Sequence, residues 1–177
     1  GTIDPGFGSG GVVTNPDLTS ATSVVVQPDG KIVTLSRGER ENGELAWGKV
    51  IVSRFLATGA VDASFGAGGR TKFSSFRSQN QPGALALTPD GKIVVGIDVA
   101  GTGVAGVVAL RLGADGSPDT TFHGDGISAV IDVDPRPGEQ VNGIAVGQDG
   151  KITIVGTRGS RDIVVARYHP SGVPDTG

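Results

Sequence analysis

Cysteine and methionine are both absent from the 177 residues. Without Cys there is no disulfide, no thiolate nucleophile and no sulfur-ligated metal. A chain with neither thiol nor thioether also offers little to oxidants, which suits a secreted or cell-surface setting. Basic excess is missing too. The net charge of -3 and the isoelectric point near 5.3 argue against a general nucleic-acid binder. No apolar run approaches the roughly 18 residues that span a bilayer, and no basic start followed by an apolar segment marks a leader. The chain opens on Gly1 rather than Met, which reads as a processed or trimmed product. Catalytic constellations are scarce as well. The only histidines, His123 and His169, fall at unrelated points of the sequence. There is no G-x-S-x-G elbow, no P-loop and no H-E-x-x-H, so no enzymatic role is expected.

What the chain has in quantity is glycine, 31 residues, with no collagen-like period. That abundance fits a fold with many tight turns, and the length suits one domain with a substantial core. The glycines recur in a phrase. Gln27-Pro28-Asp29-Gly30-Lys31-Ile32-Val33 returns as Thr88-Pro89-Asp90-Gly91-Lys92-Ile93-Val94, and again as Gly147-Gln148-Asp149-Gly150-Lys151-Ile152-Thr153. Two further markers keep the same period of nearly sixty residues: Phe7, Phe65 and Phe122, then Arg54, Arg111 and Arg167. One domain of three copies is therefore expected: residues 2–59, 60–116 and 117–172, with residues 173–177 beginning a fourth.

Each copy holds four strand-like runs rich in Val and Ile, whose branched side chains suit the pleat. In copy one they are Gly11–Thr14, Thr22–Gln27, Lys31–Ser36 and Val50–Leu56. Copy two gives Arg70–Phe73, Ala84–Thr88, Lys92–Asp98 and Val107–Leu112. Copy three gives Ile127–Ile131, Val141–Val146, Lys151–Thr157 and Ile163–Tyr168. No sustained helical stripe is present. Consecutive apolar positions, as in Val24-Val25-Val26 and Val107-Val108-Ala109-Leu110, predict strands covered on both faces. The Asp-Gly turn predicts a short hairpin loop with Gly at positive φ.

The unit D-x-x-F-G-x-G-G, then P-D-G-K-I-V, then A-R-x-x-x-D-G resembles the delta-60 repeat of bacterial secreted and surface proteins. The likeness extends over residues 2–172, with departures at His123 and Asp125 and an insertion before Trp47. It implies an all-β chain of β-propeller blades, three four-stranded antiparallel repeats, and implies no particular chemistry. The alternative with three four-stranded repeats is a β-trefoil, whose repeats are usually shorter.

Propellers need about four to eight blades, so three cannot close a ring. Hiding one largely apolar blade face of roughly 300 Å² is worth on the order of 5–8 kcal/mol. Closure is therefore expected from assembly, most simply a homodimer of three-blade chains, or from further repeats of a longer chain.

In a meander the turns alternate between the two sheet edges. The Pro-Asp-Gly and inter-copy turns share one edge and are nearly invariant among the copies. The other edge varies in length and composition, which is where specificity usually sits on a regular scaffold. It carries Arg37, Glu39, Arg40, Glu41, Asn42, Glu44 and Trp47 from copy one. Copy two adds Phe76, Arg77, Gln79, Asn80 and Gln81, and copy three adds Asp132, Asp134, Arg136, Glu139, Arg158, Arg161 and Asp162. Trp47, the single Trp, could serve as an aromatic platform for a sugar or a protein, or could simply pack its loop. No cofactor is expected; Asp132 and Asp134 are the best local candidates for calcium, but two carboxylates make a thin ligand set. Asp29, Asp90 and Asp149, with Gly30, Gly91 and Gly150, read as turn residues. Arg54, Arg111 and Arg167 are expected to pair with Asp4, Asp62 and Asp119 of the same or an adjacent copy. Three functions are compatible with these residues: a non-enzymatic module recognising carbohydrate or protein, a structural spacer in a repeat array, and a calcium-dependent propeller hydrolase or lactonase.

Overall fold

The computed structural model describes residues 1–41, 44–73, 81–101, 104–131, 140–158 and 162–177. These residues contain ten strands and no helix. β1 (Leu18–Val26), β2 (Ile32–Glu41), β3 (Glu44–Phe55) and β4 (Arg70–Phe73) form one antiparallel sheet in that order. β5 (Gln81–Leu87), β6 (Ile93–Gly101) and β7 (Val104–Leu112) form a second, and β8 (Gln140–Val146), β9 (Ile152–Arg158) and β10 (Asp162–Tyr168) a third. The three first strands, β1, β5 and β8, lie beside one another.

The repeated Asp-Gly turn makes the first hairpin of each sheet. Gln27, Thr88 and Gly147 each donate a backbone N–H to the lysine carbonyl four residues on, at 2.8–2.9 Å. Gly30, Gly91 and Gly150 close the turns at φ of 82°, 81° and 76°, a left-handed conformation that costs glycine nothing. Asp29 and Asp149 accept from the N–H of Lys31 and Lys151, while Asp90 accepts from the Thr88 hydroxyl.

Sheet and sequence repeat are out of phase by one strand. β4 belongs to copy two, yet it pairs with β3 of copy one, Val50 opposite Phe73 and Ser53 opposite Arg70. The second sheet is extended in the same way, since Leu110 and Val107 of β7 bridge to Ile127 and Ile131 of copy three. Here the expectation of three four-stranded sheets needs correction: the counts are four, three and three. The Ile127–Ile131 run is not a strand, because the Ser128 hydroxyl takes the Ala109 N–H and breaks the backbone ladder. Nor is the Gly11–Thr14 run. Val12 bridges only back to Gly8 and Ser9, because no sheet edge lies beside it to satisfy a strand's backbone groups. The trefoil alternative also fails, since each sheet is a meander of consecutive strands rather than a barrel shared among repeats.

Packing is face to face. Val33, Leu35, Val50 and Val52 of the first sheet meet Ile93, Val95, Ile97, Val108, Leu110 and Leu112 of the second. The opposite face of the second sheet, Val94, Val107 and Ala109, meets Ile152, Ile154, Ala166 and Tyr168 of the third. Alternate residues of β7 thus serve two different cores, which is why Val107–Leu110 is apolar without interruption. Tyr168 carries its hydroxyl across the second interface and donates to the Val107 carbonyl at 2.7 Å. The two outermost faces remain in solvent, with Val24 and Val26 exposed on the first sheet and Ile163 and Val165 on the third.

Candidate functional site

Among the described residues, a dense set of polar contacts lies on the Asp-Gly edge, where one copy is tied to the next. Arg54, near the end of β3, donates through Nε to Asp62 Oδ2 at 2.9 Å and through Nη2 to Ser64 Oγ at 3.2 Å. Its Nη1 reaches the carbonyl of Ala114, which belongs to the turn that closes copy two. Arg111 repeats the arrangement one copy later, with Asp119 at 2.6 Å, Thr121 at 3.1 Å and the Pro170 carbonyl at 2.6 Å. Each guanidinium also lies over a phenylalanine, Arg54 at 4.7 Å from the Phe65 ring centre and Arg111 at 4.5 Å from that of Phe122. Each ring also meets a turn glycine, Phe65 meeting Gly116 and Phe122 meeting Gly172, and a Cβ added to Gly172 would lie 3.1 Å from the Phe122 ring. A Cβ on Gly116 would lie 2.7 Å from Phe65.

We call this unit the clasp. Its electrostatics follow from its partners. Asp62 is held below the usual carboxylate range chiefly by the Ser64 hydroxyl, with Arg54 and Lys31 adding to the effect. Burial pushes Asp119 upward, but the Thr121 hydroxyl, Lys92 and Arg111 more than offset it and hold it well below the ordinary value. The lysine of the Asp-Gly turn is a third arm: Lys92 Nζ lies 2.9 Å from Asp119 and Lys31 Nζ 3.8 Å from Asp62. Sequence reasoning paired the arginines with aspartates but missed these lysines, the Ser64 and Thr121 hydroxyls, and the carbonyls of Ala114 and Pro170. The recurring Lys after Gly and the recurring hydroxyl two residues after Asp62 and Asp119 were the available signals.

The arginines pair forward, each with the aspartate of the following copy. Arg167 accordingly meets Asp175, at 2.7 Å, with Lys151 at 3.0 Å. Lys151 first, with Arg167 in support, lowers the Asp175 pKa to about 2. Among the described residues no arginine pairs with Asp4, which instead accepts from the Gly6 N–H at 2.9 Å.

On the opposite edge, Arg40, Glu44 and Trp47 lie at or near the tip of the β2–β3 hairpin, with Gly38 opposite Trp47 and Arg40 opposite Leu45. Arg158 ends β9 opposite Asp162. For these four site residues the backbone position is what the structure gives. Asn42, Phe76, Arg77, Asn80, Asp132, Asp134, Arg136 and Arg161 lie outside the described residues. Among the described residues no group of three or more His, Asp or Glu side chains is placed to hold a metal ion. An apolar cleft of about 290 Å³ lies on the outer face of the first sheet, lined by Phe7, Val13, Leu18, Ile32 and Phe55 among others.

Meanders stacked face to face, each tied to the next by one recurring clasp, define a propeller-like repeat protein. A family model described as "Domain of unknown function (DUF5122) beta-propeller" matches residues 88–122 and 147–177. Each matched stretch holds the lysine, arginine and aspartate of one clasp, Lys92, Arg111 and Asp119 in the first and Lys151, Arg167 and Asp175 in the second. No curated protein matches the chain.

Proposed function

We propose that the chain is a non-enzymatic scaffold segment of a secreted or surface bacterial protein built from delta-60 repeats, recognising a glycan or a protein through its variable edge. One observation carries this reading. On the Asp-Gly edge the recurrent polar groups are engaged in bonds between copies, Arg54 with Asp62 and Arg111 with Asp119. The copies differ instead at the other edge, where the β2–β3 hairpin brings Trp47 and Glu44 near its tip. An aromatic residue close in sequence to carboxylate and amide residues is a composition suited to a sugar ring or an extended peptide. Screening on a glycan array and against candidate surface proteins tests the proposal. A bound ligand should be lost, by roughly 30-fold or more in affinity, on Trp47→Ala without a change in melting temperature. Binding that survives both Trp47→Ala and Glu44→Ala would remove the variable edge from the account.

The second reading, a spacer within a longer array, is favoured by the faces that end the stack. Val24 and Val26 at one end and Ile163 and Val165 at the other are apolar side chains left in solvent. An array that binds nothing on either screen, yet gains stability with each added repeat, would select the spacer.

A further inference from the structure

Three copies of one fold show which side chains the scaffold can do without. In each copy the loop after the recurring phenylalanine packs on the turn that ends the same copy. The N–H groups of Gly8, Gly66 and His123 donate to the carbonyls of Thr58, Asp115 and Ser171, at 2.9, 2.8 and 2.9 Å. In copy two these segments wall an open cleft of about 530 Å³, a size suited to a small ligand. One wall carries Arg70 where copies one and three have Val12 and Ile127, and Lys72 where they have Thr14 and Ala129. The other carries Asp115 in the place of Thr58 and Ser171, and Ser117 in the place of Ala60 and Val173. The same backbone contact forms in all three copies, so folding does not account for these charges.

The cleft is formed in advance of any ligand. Thr71 Oγ1 donates to the Gly116 carbonyl at 2.6 Å and joins wall to wall. Arg70 Nη2 lies 3.4 Å from Asp17 Oδ2, which orients the guanidinium. Asp17 is exposed, and a pair of that length in water exchanges readily for a better acceptor. The Ser117 hydroxyl and N–H reach Asp115 Oδ1 at 2.7 and 3.0 Å. These bonds hold the Asp115 carboxyl below the usual carboxylate range, so it is ionised at neutral pH. The cleft therefore offers two cations from one wall and a fixed carboxylate from the other.

We infer that this cleft binds a carboxylate-bearing saccharide, its carboxylate on Arg70 and Lys72 and its ring hydroxyls on Asp115. The planar fork of a guanidinium matches a carboxylate with two parallel hydrogen bonds. The ionised Asp115 can only accept, so it selects a ligand rich in O–H donors and repels one with a second negative charge. Pro118 adds an apolar surface on which the C–H face of a sugar can rest. The site lies on the Asp-Gly edge, so it goes beyond recognition at the variable edge and does not depend on it.

Calorimetric titration of the chain with a galacturonic acid trisaccharide tests the inference, with its methyl ester and inorganic phosphate as comparison probes. The acid should bind, the ester at least about 10-fold more weakly, and phosphate with no measurable heat. Arg70→Gln should lose roughly 10-fold or more in affinity for the acid, and Lys72→Gln less. Both variants should keep their melting temperature, since the other copies fold with no charge at either position. Asp115→Asn should weaken the acid and let phosphate bind. An acid that fails to bind at millimolar concentration overturns the inference, as does equal binding of acid and ester or an affinity indifferent to Arg70→Gln. Loss on Trp47→Ala but not on Arg70→Gln would put the saccharide on the variable edge and overturn it as well.

Discussion

Arg111 and Arg167 occupy the same place in successive copies, and each holds an aspartate eight residues further on. Around Arg111 the clasp is complete: Asp119, Thr121, the Pro170 carbonyl and the Phe122 ring leave its side chain 9% exposed. Around Arg167 no ring or turn carbonyl is placed among the described residues, and the side chain is 50% exposed. The ion pair alone forms in both places at nearly the same distance, 2.6 against 2.7 Å. What differs is the shielding by the next copy. A charge pair in water contributes little, whereas one desolvated and fully bonded becomes costly to break, so the joint gains its strength only when the neighbour arrives.

The rings should separate the two situations most widely. Phe122 is fully buried between Arg111 and the turn at Gly172, so Phe122→Ala should destabilise by about 3–5 kcal/mol in urea unfolding. Phe7 is half-buried and faces no arginine among the described residues, so Phe7→Ala should cost clearly less, roughly 1–2 kcal/mol. Equal losses would mean that the clasp adds nothing beyond local packing of the ring.

The arginines form the next pair. Arg111→Ala strands Asp119 in a buried position with Lys92 as its remaining cation, for an expected loss of about 3 kcal/mol. Arg167→Ala removes a half-exposed partner and should lower stability by less than about 1 kcal/mol. Thermal melts of the two variants at low protein concentration check the contrast. A loss at Arg167 as large as that at Arg111 would show that shielding by the following copy is not what matters.

Much of this architecture is legible in the sequence, for identifiable reasons. The Asp-Gly turn has a local cause, since only Gly relaxes at the φ that Gly30, Gly91 and Gly150 adopt. The unbroken apolar run at Val107–Leu110 signals two covered faces correctly. The same reading of Val24-Val25-Val26 fails, since Val24 and Val26 lie on the outer face of the first sheet and are exposed. The phase of the fourth strand is not legible, because a periodic sequence looks the same wherever the repeat is cut. The choice is made by backbone pairing such as that of Arg70–Phe73 with β3, which carries no mark in composition. Lys31 and Lys92 escape notice for a related reason. They read as turn residues, and nothing local says that a four-carbon stem turns towards an aspartate some thirty residues away. At the variable edge residue type alone points to Trp47 and Glu44, because the copies differ in sequence there and no repeated motif fixes the placement of a side chain.

Acid should produce the smallest contrast between the two clasps. Asp119 and Asp175 both lie below the ordinary value of 3.8, so each binds its proton more weakly folded than unfolded. Their contribution to stability is therefore complete above that value and is lost as pH falls through the folded pKa. For Asp175 the window runs from near 3.8 down to about 2; for Asp119, bonded to Thr121, Lys92 and Arg111, it reaches lower still. Stability should consequently be flat in this respect from neutral pH to about 5 and decline below about 4. Carbon-13 NMR titration of the side-chain carboxyls resolves the two sites, with Asp175 expected to protonate before Asp119 as acid is added. The reverse order would mean that burial dominates at Asp119, and that the complete clasp shields its aspartate from water more than it stabilises the charge.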